Sequence, residues 1–220
     1  MVPDAWLALR NMRRGDTCIV AGNGPSLKET PLSDVPFDTF GTNRCFLPGG
    51  FTPTFYVSVN PLVIEQSIPG ILSIDASAKF IAQAFANQVP GSFSLRSNSL
   101  ARFSMEPWNG LYEGFTVTFV CLQLAYFLGY RTVLLVGVDH RYDFNGVPNE
   151  QVVSTGADPN HFNSDYFGSG FTWNNPDLAR SETSYRMALS VFDGDGRRIV
   201  NCTPGSALDV FERGKLEDWL

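Results

Sequence analysis

Two short stretches of this sequence hold the residue types from which a reaction site can be built. The first, Gly22-Asn23-Gly24-Pro25-Ser26-Leu27, follows directly on the apolar run CIVA at 18–21. Glycines at 22 and 24 let the backbone come close to a ligand. Ser26 is placed to cap a following helix, whose N-terminal amides and dipole favour an anion. A strand, a glycine turn and a helix start suit a phosphate-bearing nucleotide, and they equally make a plain tight turn with a capped helix. The stretch is not the GxGxxG dinucleotide fingerprint, which needs a third glycine. Nor is it a Walker A loop, which needs Gly-Lys-Ser/Thr.

The second stretch is Asn160-His161-Phe162-Asn163-Ser164-Asp165-Tyr166-Phe167-Gly168, which holds one of the chain's two histidines. His161 with Asp165 four residues on reads as a general base near neutral pH beside its carboxylate, or as a loop histidine bonded to its own backbone. Tyr166 can donate to a phosphate oxygen or pack the segment down. Four further residues stand at the ends of expected strands and helices. Asn43 and Asn60 follow the second and third strands, where an amide can read a base or ribose edge, or simply make a turn. Thr116 precedes an apolar helix as its cap and can offer a hydroxyl to a phosphate. Asp139 ends the strand TVLLVGV and can hold a ribose hydroxyl, a metal or the next turn. No GxSxG, HExxH or EF-hand pattern is present, and two histidines with scattered thiols give no metal-ligand set.

The elements that must position these residues alternate between strand and helix. Residues 5–13 have helical spacing of Trp6, Leu7, Leu9 and Met12. Strands are expected at Thr17–Ala21, 37–41, 55–59, 71–74, 132–138 and 198–202. Helices are expected over the alanine-rich residues 76–86, over Val117–Leu128 with Gly129 as its stop, over 178–192, and over 215–220. The solid apolar runs imply strands buried on both faces, as in a parallel sheet. The fold class is therefore α/β, a Rossmann-like, doubly wound, mostly parallel sheet forming one domain over 1–220. Residues from about 141 to 177 show no long periodic segment and are too many for an ordinary connection, so they are expected to form a lid.

Composition narrows the function classes. The 220 residues are 44% hydrophobic and 17% charged, with a formal net charge of −6. That balance argues against nucleic-acid binding, which needs clustered Lys and Arg. Cys18, Cys45, Cys121 and Cys202 are scattered among apolar runs and read as buried thiols. The charged N-terminus and the lack of a long apolar run give no signal peptide and no transmembrane segment, so a cytoplasmic protein is expected.

VAGNGPSLKE at 20–29 and FLGYRTVLLVGVDHRY at 127–142 resemble two related groups. One is the bacterial sialyltransferases acting on lipo-oligosaccharide. The other is the 6-hydroxymethylpterin diphosphokinase MptE-like family, tied to surface-polysaccharide synthesis. HFNSDYFGSG at 161–170, NPDLAR and RRIVNCTPGSALDVF look most like the second group, and the resemblance spans about residues 17–212. The sialyltransferase likeness implies that Gly22, Asn23, Gly24, Ser26 and Asn43 contact the nucleotide, a CMP, with Asn60 alongside. That group's Thr-Ser-Gly helix start matches Thr116 alone, and its catalytic histidine falls at Ser169, which leaves His161 or Asp165 to serve. The pterin-kinase likeness implies ATP and magnesium, with Asp139 and Asp165 as metal ligands.

The resulting expectation is a nucleotide-dependent transferase, a glycosyltransferase moving a sugar from a nucleotide-activated donor to a carbohydrate acceptor in surface-carbohydrate synthesis. Catalysis would rest on His161, Asp165 and Tyr166, under a lid that excludes water. The alternatives are an ATP- and magnesium-dependent diphosphokinase and a nucleotide-binding protein without catalysis. Oligomerisation is compatible with all three.

Overall fold

A computed structural model describes every residue except Met1 and Asn11. In chain order the strands are β1 Thr17–Ala21, β2 Asp38–Thr42, β3 Phe55–Ser58, β4 Ala78–Ala82, β5 Phe93–Leu95, β6 Thr132–Val136, β7 Gln151–Val153, β8 Thr172–Asn174, β9 Arg198–Asn201 and β10 Glu212–Arg213. The helices are α1 Asp4–Arg10, α2 Pro61–Glu65, α3 Ile68–Ser73, α4 Val117–Leu128 and α5 Leu178–Gly194. Eight strands form one sheet in the order β10-β9-β6-β1-β2-β3-β4-β5, and β7 pairs only with β8. Every pairing in the large sheet is parallel, and β7–β8 is antiparallel. The architecture is α/β and Rossmann-like, as expected.

The chain runs outward from β1 through β2, β3, β4 and β5, then returns to lay β6 on the other side of β1. Open α/β sheets bind ligands at such a reversal, in the crevice beyond the strands' carboxyl ends. The glycine loop leaves β1 there, and Gly137 leaves β6 beside it.

Burial explains which apolar runs became strands. Val133, Leu134, Leu135 and Val136 have no exposed surface, and Cys18, Ile19 and Val20 are equally enclosed. One face of the sheet is covered by α4, apolar on all sides and buried over ten of its twelve residues. The other face is covered by the segment read as a lid: Phe162, Tyr166 and Phe167 pack on Ile19, Ala21, Leu134 and Val136. That segment is therefore a built wall over residues 162–167 rather than a loose flap, and it also contains the β7–β8 hairpin. Arg44 holds it down by donating to the Asp165 and Tyr166 carbonyls, and Gln66 bonds both the amide and the carbonyl of Thr172.

Several expected elements are corrected. Residues 71–73 belong to α3, which starts with a proline in its first turn, buries Ile71 and is capped by the extended Ile74. Residues 76–86 are not a helix: Ala78–Ala82 is β4, held between β3 and β5, and a 3-10 helix follows at Gln83–Gln88. Pairing on both edges overrides alanine's helix preference. The helix expected after the glycine loop is a five-residue 3-10 helix, Pro25–Glu29, capped by Gly24 with no side-chain bond, so Ser26 is not its cap. The C-terminal helix is a 3-10 turn, Leu216–Trp219, and the N-terminal one ends at Arg10. Among the described residues no helix is long and apolar enough to cross a membrane.

Candidate functional site

A cleft lies at the carboxyl edge of β1, β2 and β6 and has two chambers. The inner one, about 120 Å³, is lined by the ends of those strands, the start of α4 and the His161 segment. The outer one, about 600 Å³, runs between the start of α4, the Asn60 turn and residues 173–177. Asn43, Phe115, Thr116, Tyr142, His161 and Phe167 line both, so they form a shared wall.

The backbone singles this cleft out. Among the described residues the non-glycine positions with left-handed φ are Asn43 (50°), Phe115 (64°), His140 (56°) and Asn149 (66°), and all four line the cleft. Such conformations cost about 1–3 kcal/mol each and collect at functional sites.

The glycine loop does its work differently from the expectation. Gly22 donates to the Val136 carbonyl at 2.8 Å and Gly24 to the Gly137 carbonyl at 2.9 Å, so the loop is joined to the end of β6. A Cβ on Gly22 would overlap the Gly137 carbonyl, and one on Gly24 would overlap the Asp139 carboxylate. That carboxylate accepts from the Ser26 amide at 3.2 Å and the Ser26 hydroxyl at 2.8 Å. Asp139 therefore occupies the Ser26 amide, and Ser26 lies behind it outside the inner chamber, while the Asn23 amide of the same turn has no hydrogen bond among the described residues. The amino end of α4 is a second anion-favouring feature, because Thr116, Val117 and Thr118 line the chamber. Thr116 caps that helix through the Thr118 amide and also bonds Tyr185. Arg141 adds the cationic side chain of this wall, and His140 lies beside it, hydrogen-bonded to Glu182 at 3.3 Å. Burial lowers the His140 pKa below the ordinary histidine value, and Glu182 opposes that in part.

Asn23 is 9% exposed and donates Nδ2 to the Thr42 carbonyl and hydroxyl. A carbonyl only accepts, so the amide's orientation is fixed and Oδ1 is left buried without a partner. Asn43 accepts from Ser58 at 3.2 Å, and Asn60 caps α2 through the Leu62 amide and lines the outer chamber only.

His161 is paired, but with Asp158 rather than Asp165. Its Nδ1 lies 2.7 Å from Asp158 Oδ2, and the carboxylate also accepts the amides of Asn160 and Phe167. Burial pushes the Asp158 carboxyl up, yet the His161 bond and those two amides outweigh it and hold the pKa below the usual carboxylate range. An ionised Asp158 only accepts, so Nδ1 carries the proton of this bond, and Nε2 makes no hydrogen bond among the described residues. Tyr166 stacks on the imidazole at 3.9 Å with planes 4° apart, is 1% exposed, and accepts the Arg44 amide at 3.3 Å. It is thus a backing plate for His161. Asp165 is exposed and lines neither chamber, so it is not brought to the site.

Asp158, Asn98, Trp173 and Asn175 were not read from the sequence. An aspartate three residues before the histidine, closing an Asx turn on Asn160, is a usable signal for Asp158. The other three carry no motif and come together only through the fold. Of the two carboxylates that the pterin-kinase likeness assigns to magnesium, Asp139 lines the inner chamber and Asp165 does not. Asp139 accepts from Ser26 and Asp158 is paired with His161, and among the described residues no three His, Cys, Asp or Glu side chains are grouped to hold a metal.

No protein-family model, no curated protein and no solved structure matches this chain. Its function has to be read from the cleft.

Proposed function

We propose that this chain is a nucleotide-dependent glycosyltransferase, moving a sugar from a nucleotide-activated donor to a carbohydrate hydroxyl in surface-carbohydrate assembly. The observation that carries the reading is the Asp158–His161 pair, which sets an unpartnered imidazole nitrogen at the wall between two chambers of different character. The loop and strand motifs that resemble sialyltransferase and MptE-like sequences support it, because their residues Gly22, Asn23, Gly24, Asn43 and Thr116 line the inner chamber.

The donor's phosphate sits at the amino end of α4 near Arg141, and a ribose hydroxyl or base amine donates to Asn23 Oδ1. A donor with one phosphate carries one negative charge, which a helix terminus and an arginine offset without a metal. That favours a CMP-type donor over a diphosphate. The inner chamber is smaller than the roughly 300–1,000 Å³ of an ordinary ligand pocket. Seating a whole nucleotide therefore moves the exposed rim residues Arg141 and Tyr142 outward. His161 Nε2 takes the proton of the acceptor hydroxyl as that oxygen bonds to the anomeric carbon. The bond from this carbon to the phosphate oxygen breaks, and its electron pair leaves with the phosphate. Asp158 offsets the imidazolium charge.

Thermal denaturation with CMP, UDP, GDP or ATP, each with and without magnesium, tests the reading. CMP at about a hundred times its Kd should stabilise by about 2.7 kcal/mol, a rise of about 5–10 °C for a chain of this size. A shift with ATP only in the presence of magnesium transfers the reading to the diphosphokinase. No shift with any nucleotide rejects both.

A further inference from the structure

The outer chamber is built for a different kind of ligand. Six asparagines line it, together with the rings of Tyr112, Phe115 and Trp173, and no lysine or arginine does. Six buried side-chain polar atoms lack partners among the described residues; three of them are asparagine Oδ1 atoms, and all three of those residues line the cleft. Asn23 belongs to the inner chamber, and Asn98 and Asn175 belong to the outer.

Asn175 is the most constrained. It is 2% exposed, and its Nδ2 donates to the carbonyls of Asn145 at 2.8 Å and Val147 at 3.2 Å. Those partners accept only, so the amide cannot be turned over, and its buried oxygen needs a donor from outside the protein. The charges facing the space are the carboxylates of Glu113 and Asp177. Asp177 is paired with Arg180 at 3.6 Å, outside the lining, so an acidic ligand would meet two carboxylates and only the partial charge of the α4 amino end in return. The aromatic rings suit the C–H face of a pyranose.

We infer that the outer chamber is an acceptor subsite for an uncharged, hydroxyl-rich pyranose unit, whose hydroxyls donate to the amide oxygens of Asn98 and Asn175. The inference rests on the transferase reading, because it places the acceptor on the far side of His161 from the donor. It adds the substrate class: neutral sugars are accepted and uronic or sialic acids are rejected at this position.

Saturation-transfer NMR with the full chain tests it, using methyl β-glucopyranoside, methyl β-galactopyranoside, methyl β-glucuronide and cytidine as probes, with and without CMP. At least one neutral glycoside should bind, and the glucuronide should bind about tenfold more weakly or not at all. Asn98→Ala removes no side-chain hydrogen bond within the protein and should weaken neutral binding about fivefold to tenfold. Asn175→Ala should do the same, but it also frees two carbonyls, so Asn98→Ala decides if that variant is unstable. The CMP-induced thermal shift should be unchanged in both. Equal binding of neutral and acidic glycosides, indifference to Asn98→Ala, displacement by cytidine, or no glycoside binding at millimolar concentration each overturns the inference. Glycoside binding without any nucleotide shift would leave the subsite standing and remove the donor reading instead.

Discussion

The two chambers share a wall and differ in almost everything else. The inner one is small, framed by strand ends, and holds the amino end of a twelve-residue helix beside Arg141 and His140. The outer one is about five times larger, lined by amides and aromatic rings, and carries only acidic charge. The difference follows from what positions each. Inner residues sit on β1, β2, β6 and the turns fixed to them, and their backbone is strained and hydrogen-bonded across the sheet's reversal point. Outer residues come from connections: the Asn60 turn, the Asn98 loop and the end of the β7–β8 hairpin. A rigid frame suits an invariant phosphate-bearing donor, and a looser amide-lined space suits recognition of a hydroxylated acceptor. His161 lies where the two meet.

The largest expected effect falls on that junction. His161→Ala should lower turnover by about 10²–10⁴-fold while leaving the CMP-induced thermal shift within about 1 °C of the parent. Equal loss of rate and nucleotide binding would break the division of labour. Next in size, Gly24→Ala forces a Cβ into the Asp139 carboxylate and should destabilise the fold by about 1–3 kcal/mol. Gly156→Ala, with nothing within 4 Å of its Cβ, should stay within about 0.5 kcal/mol in the same denaturant titration. Matching values for the two would contradict a rigid inner frame.

The smallest effects are on pH dependence, and they have opposite signs in the two chambers. Burial lowers the His140 pKa, so the folded state binds its proton later than the unfolded chain does. Stability should therefore fall as pH drops below about 6.5, and His140→Gln should flatten that slope. Burial raises the Glu113 pKa, with the Ser97 bond opposing in part. Its proton is held longer in the folded state, so stability is lost as pH rises from about 4.3 through the raised value, and Glu113→Gln should remove that loss. Denaturation midpoints measured between pH 4 and 8 check both.

How much of this was legible in the sequence depended on whether local pattern and tertiary burial agreed. They agreed at β1 and β6, where unbroken apolar runs became strands enclosed on both faces, and at α4, where Thr116 and Gly129 mark both ends. They conflicted at 71–74 and 76–86, where the strand and helix readings exchange places because β3 offers a free edge to Ala78–Ala82. The glycine loop was legible as a place of close approach, but not that the protein's own Asp139 is the group approaching Gly24. His161 lies in the cleft, but its carboxylate partner is Asp158 rather than the nearby Asp165, because the chain turns back at Asp158–Asn160. The amides of Asn98 and Asn175 were illegible, since an unpartnered atom is a property of packing and leaves no mark on the residue order.

Hydrogen exchange with and without CMP tests the central claim most directly, because it reports each chamber separately. The account predicts slower exchange at residues 22–24, 42–43, 116–119, 137–142 and 160–162 on CMP binding, with residues 97–99 and 173–175 unchanged. Protection confined to 97–99 and 173–175, or no protection anywhere in the cleft, would contradict it.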